Sequence, residues 1–145
     1  MSPFLLDTNV FAALSQPAPN GRIVRAFEKH EDVLVTAALV LNEMWFGILC
    51  LAPSKKRDHL ERFMKDVVGG IPVLPYDAQA AHWHARERAR LKPAGRTPSF
   101  VDGQIAAVAA VNDATVVTAN VADFAFFHGL RVEDWSSGAR SRPRK

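Results

Sequence analysis

The chain has 145 residues, 48% hydrophobic and 23% charged, proportions of one ordinary globular domain rather than of a disordered or collagen-like chain. Its formal charge of +3 is misleading: residues 136–145 hold four cations and no acid, leaving 14 cations against 15 acids in residues 1–135. A single cysteine, Cys50, excludes an intrachain disulfide, fits a reduced cytoplasmic setting and reads as a small buried hydrophobe.

Taken in chain order, apolar runs of strand length alternate with runs of helical spacing. Phe4-Leu5-Leu6 reads as a short buried strand ending at Asp7, which also interrupts any secretory signal. Thr8 or Asn9 is placed to cap a short helix that stops before Pro17, and Asn20 to cap the next, where Ile23, Val24 and Phe27 share a face. Residues 33–52 are long and apolar enough to suggest a membrane span. The reading preferred is a strand at Val33-Leu34-Val35-Thr36, then a buried helix from Ala37 to Leu51 with Thr36 as its cap, because a mid-membrane Glu43 would be costly. Ser54 precedes a helix bearing Leu60, Phe63, Met64, Val67 and Val68, closed by Gly69-Gly70. Ile71 to Leu74 is a strand that Pro72 confines to a sheet edge. Asp77 caps a long helix reaching about Lys92, a basic Pro/Gly loop follows to Pro98, and Ser99 caps a helix through Asn112. Thr115 to Thr118 is another buried strand, residues 119–129 are rich in turns, and Leu130 to Val132 is a last short strand. This alternation implies a parallel sheet covered on both faces. The domain is expected to span residues 1–135, with a basic disordered tail over 136–145.

In an open parallel sheet, ligands bind beyond the carboxyl ends of the strands. Asp7 follows the first strand, and Asn120 and Asp123 follow the strand at residues 115–118. Glu43 lies about two turns into its otherwise apolar helix, and Asp102 in the first turn of another. Each has an ordinary explanation as a helix cap, an ion-pair partner or an Asx-turn. As a set, carboxylates without cysteine suit a hard, oxygen-seeking ion, Mg²⁺ or Mn²⁺, of the kind that activates water against a phosphodiester. No Gly-rich phosphate loop, no Gly-x-Ser-x-Gly elbow and no zinc spacing of histidines is present. His82 and His84 read as surface or interface residues rather than metal ligands, and Trp45, Phe46, Phe63, Phe124, Phe126 and Phe127 as core.

Five segments together resemble a PIN-domain protein of the VapC type, the toxin of a type II toxin–antitoxin pair. They are Phe4-Leu5-Leu6-Asp7-Thr8-Asn9-Val10, residues 39–48 around Asn42-Glu43, Val101-Asp102-Gly103-Gln104-Ile105-Ala106-Ala107, residues 116–124, and residues 129–135. The resemblance implies a three-layer α/β/α sandwich with a mainly parallel sheet, and a Mg²⁺-dependent endoribonuclease. It also implies a VapB-type antitoxin, and a homodimer or toxin–antitoxin hetero-oligomer. Many family members carry an aspartate where this chain has Asn120, which adds no charge for a second metal.

On this reading Asp7 and Asp102 hold Mg²⁺, Glu43 positions or deprotonates water, and Asn120 or Asp123 completes the set. Crowded carboxylates are expected to titrate high and to gain thermal stability with Mg²⁺. Lys92 and Arg96, in the loop before Asp102, are candidates to hold RNA. Three other readings compete with this one. An aspartyl-phosphate phosphohydrolase needs an acid where Asn9 stands and a later lysine, for which no good candidate exists. A DNA-binding regulator lacks its recognition helix. A catalytically impaired PIN-like module, binding RNA or protein, is kept open by Asn120.

Overall fold

A computed structural model describes residues 2–138 and 140–141. Strand β1 (Phe4–Leu6) lies in the middle of a six-stranded sheet of order β3-β2-β1-β4-β5-β6. The chain first winds outward through helices α1 (Thr8–Leu14) and α2 (Gly21–Lys29) to β2 (Leu34–Ala37). Helices α3 (Ala38–Leu49) and α4 (Lys55–Asp66) lead on to β3 (Val73–Leu74). It then crosses back through α5 (Ala78–Leu91) and α6 (Phe100–Val111) to β4 (Thr115–Val117), on the other side of β1. A one-turn helix α7 (Val121–Phe124) precedes β5 (Val132–Glu133). Strands β1 to β5 are parallel, and β6 (Arg140–Ser141) closes the edge antiparallel to β5.

The winding direction reverses between β1 and β4, so the loops after these two strands diverge and leave a crevice. Register draws them level: Leu6 pairs with Val117, and the Asp7 N–H donates to the Val117 carbonyl at 3.0 Å. All three residues of β4 are buried, as in a sheet covered on both faces. Together with the helices this is the three-layer α/β/α sandwich, and its core joins Leu5, Leu6, Phe11, Val116 and Val117 to Ile105–Ala109 of α6.

The expected caps Asn20, Ser54, Asp77 and Ser99 each accept a backbone N–H at the start of a helix. Thr36 does not cap α3. It is fully buried in β2 and its hydroxyl donates to the Leu6 carbonyl, tying two strands at the crevice end; Ala37 takes the cap position. The third strand shortens to Val73–Leu74 at the sheet edge, beyond Pro72.

The helix expected to be buried is only half so. Trp45, Phe46 and Leu49 are exposed on α3, and so is Cys50 after it, because only one side of this helix meets the core. Among the described residues no helix is long and apolar enough to cross a membrane. Of the expected tail, residues 136–138 follow a turn in which Asp134 accepts from the Ser136 N–H and hydroxyl, and residues 140–141 pair with β5. Residues 139 and 142–145 lie outside the described residues.

Candidate active site

The site grows from the end of β1. Asp7 is buried, and its carboxylate does two local jobs: Oδ1 accepts the Thr8 N–H at 2.8 Å, capping α1, and Oδ2 accepts the Thr118 hydroxyl at 2.9 Å. Thr118 is itself fully buried at the end of β4, where its oxygen accepts from Asn9 Nδ2 at 2.9 Å and from the Asn120 N–H at 3.1 Å. Asn9 Oδ1 accepts the Ala119 N–H at 2.9 Å. Two strand ends are thus laced together across the switch point by an Asp, a Thr and an Asn.

Glu43 is exposed rather than buried. It stands on α3 facing α1, where the Thr8 hydroxyl donates to Oε2 at 2.7 Å. Asp102 is partly buried in the first turn of α6, its N–H bonded to the capping Ser99 hydroxyl at 3.4 Å. Asp102 and Asp123 line one cleft of about 370 Å³, with Arg96 and Phe126 on the same walls. Asn120 occupies the cap position of α7 with no side-chain cap bond.

Electrostatics mark these acids as one group. Burial, and then the charges of Asp7, Asp123 and Glu43, push the Asp102 carboxyl up to about 6. Burial raises Asp7 too, with Glu43 adding to it, against hydrogen bonds from Thr8 and Thr118 that favour its charged form. Carboxylates that resist ionisation in each other's presence lack a counter-charge. A divalent cation would supply it, and a donor set of carboxylate, amide and hydroxyl oxygens without thiolate suits Mg²⁺. Among the described residues no three His, Cys, Asp or Glu side chains already form a metal-holding group. Mg²⁺ is commonly held by one or two carboxylates and several waters, so these residues fit it without a closed cage.

Sequence reasoning missed the supports. Thr8, Asn9 and Thr118 are polar residues at strand ends, and only the β1–β4 pairing reveals that they meet. His84, expected at the surface or an interface, is buried within the chain, with the Tyr76 hydroxyl 3.3 Å from Nδ1. Its ring packs against Gly103, where an added Cβ would land on Nε2, so the residue after Asp102 must be glycine for α5 and α6 to close. Glu87 is buried and accepts two hydrogen bonds from Arg90 at 2.9 Å and the His128 N–H at 2.6 Å, while Arg90 also donates to the Phe126 carbonyl at 2.7 Å. This pair fastens the loop after α7 to α5. Lys92 and Arg96 lie beside the cleft, Arg96 on its wall and Lys92 in the adjoining hollow.

Carboxylates gathered at the switch point of a doubly wound parallel sheet define a nuclease-like α/β domain. The chain belongs to the PIN-domain family, which it matches over residues 4–125, and within it to the VapC type. It is 33% identical to the toxin FitB of Neisseria gonorrhoeae, over 83% of this chain and 89% of that protein. To the tRNA(fMet)-specific endonuclease VapC of Shigella flexneri it is 32% identical, over 94% of this chain and all of the relative. Among solved structures, FitAB bound to a DNA fragment matches with a TM-score of 0.83 at 29% identity, covering 92% of this chain and 95% of that one. DNA-bound VapBC of Salmonella typhimurium matches at 0.82 and 28%, covering 93% and 99%.

Proposed function

We propose that this protein is a Mg²⁺-dependent endoribonuclease, the toxin of a VapBC-type pair. The observation that carries the reading is the electrostatic coupling of Asp102 to Asp7, Asp123 and Glu43 at the β1–β4 switch point. Relatives named as ribonucleases and a tRNA-specific endonuclease support RNA as the substrate class.

Asp7 and Asp102 would hold Mg²⁺, with Mn²⁺ as a substitute, and Glu43 beside them. When bound, the ion neutralises phosphate charge and makes water a better nucleophile. Thr118 and Thr8 favour the charged form of Asp7 against its burial and fix its direction. Thr8 also occupies Oε2 of Glu43, leaving Oε1 to take the proton as water attacks phosphorus. Asp123 stands on the far wall of the cleft from α7, just before the loop that Glu87 and Arg90 secure.

Cleavage of total RNA by the purified protein tests this, with Mg²⁺, with EDTA, and with Asp7→Asn beside the unaltered chain. Metal-dependent cutting that the substitution abolishes is expected. No cutting by folded protein in any lane would sink the reading and favour the impaired binding module that Asn120 keeps open. The FitAB and VapBC structures support an antitoxin as the partner. Co-expression with that partner should silence cleavage.

A further inference from the structure

The last turns of α5, the 3-10 turn Lys92–Ala94 and the start of α6 enclose a second hollow of about 530 Å³. Arg88, Lys92, Arg96, Thr97, Pro98 and Phe100 line it, and no acid does. Arg96, Thr97 and Pro98 also line the carboxylate cleft, so the two hollows share a rim.

Phe100 is 53% exposed, although it opens a helix whose middle is buried. Its ring meets the buried His84 ring edge-on, with centroids 4.8 Å apart, which fixes its plane. The Arg88 guanidinium lies 4.9 Å from the Phe100 centroid, and that of Arg96 lies 4.4 Å from Phe126. Rings that hold both guanidiniums reduce the freedom either loses when it grips a ligand. A half-exposed ring that carries the Arg88 guanidinium over one face matches single-stranded RNA: a base stacks on the ring's remaining exposed surface while phosphates meet the cations. An acidic peptide would use the cations and leave the ring idle.

We propose that this hollow is a nucleotide subsite, with one base on Phe100 and its phosphates on Arg88, Lys92 and Arg96, feeding the strand over the shared rim to the carboxylates. The direction toward the carboxylates rests on the ribonuclease reading; the binding itself does not.

The test is fluorescence anisotropy of a labelled oligouridine with the full chain, in EDTA to prevent metal-dependent cutting, at about 50 mM salt. Phe100→Leu should weaken binding roughly 10- to 100-fold, the scale of one lost base stack, and Phe100→Tyr should retain it. Arg88→Gln should flatten the slope of log affinity against log salt by about 0.7. Unaltered affinity in Phe100→Leu, no binding by the unaltered chain, or displacement by polyglutamate as readily as by unlabelled RNA would each overturn the subsite. Cutting is scored separately. A chain that cleaves RNA while Phe100→Leu binds normally loses the subsite and keeps the nuclease. A chain that binds through Phe100 and cuts nothing does the reverse.

Discussion

Thr118 supplies the one side-chain hydroxyl that supports Asp7 from the neighbouring strand, and replacing it removes that support without touching a carboxylate. Thr118→Val should cost about 1–3 kcal/mol, because a buried acceptor loses its donor, and should raise the Mg²⁺ concentration at half-maximal cleavage. Thr118→Ser should restore both, as melting curves and a Mg²⁺ titration of activity would reveal. Asp102 makes the opposite kind of case. Its carboxyl is raised to about 6, so its ionised form opposes folding, and this penalty builds as pH rises from about 4 to 6. Asp102→Asn should therefore melt higher than the metal-free native chain at pH 7, with the advantage gone near pH 4, while cleavage is lost. An equal or lower melting point at pH 7 would contradict the repulsion. These acids were legible in sequence because each directly follows a strand or opens a helix. Thr118 and Asn9 were not, because hydrogen bonds between residues 109 positions apart leave no local signal.

Helix α5 acts as the brace of the site. Its buried His84 fills the space that Gly103 leaves on α6, and its Glu87 and Arg90 pin the loop after α7. Gly103→Ala should destabilise by about 1–3 kcal/mol through overpacking. In that background His84→Ala should cost less than it does alone, a coupling that a double-mutant cycle in urea would measure. Glu87 responds to pH in the usual carboxylate sense. Burial raises it, but Arg90 and the His128 N–H outweigh that and hold it below its ordinary 4.5. Its contribution is present at neutral pH and fades as pH falls through 4.5 and below. Glu87→Gln should flatten the acid limb of the stability curve and slow cleavage by loosening the loop that follows Asp123 and α7. An acid limb of unchanged slope would remove Glu87 from this role. The long apolar run of α3 suggests a buried helix, yet its outer side faces away from the core, so Trp45, Phe46 and Leu49 remain exposed.

At the scale of the whole molecule, charge separates into two adjoining regions: acids at the switch point, cations along the end of α5 and the loop beyond it. Binding of Mg²⁺ to the folded state alone should stabilise it by about 2.7 kcal/mol at a hundredfold excess over Kd, or roughly 5–10 °C in Tm. Asp7→Asn should abolish most of that shift. A Tm indifferent to Mg²⁺ in the unaltered chain would count against the carboxylate set as a metal site.

By itself the sequence determined the order of strands and helices and most of the caps, and it singled out Asp7, Glu43, Asp102 and Asp123 as candidates, since periodicity, capping chemistry, strand-end placement and a lone acid on an apolar helix are local properties. Only the tertiary structure decided which strand ends meet, and with them that Asp7 shares a hydroxyl with Thr118. It also decided that Glu43 is exposed, that His84 is buried, and that Phe100 faces solvent beside Arg88. Burial depends on what packs opposite a residue, and the packing partner is set by the crossover from β3 back to β4, which no short stretch of sequence encodes.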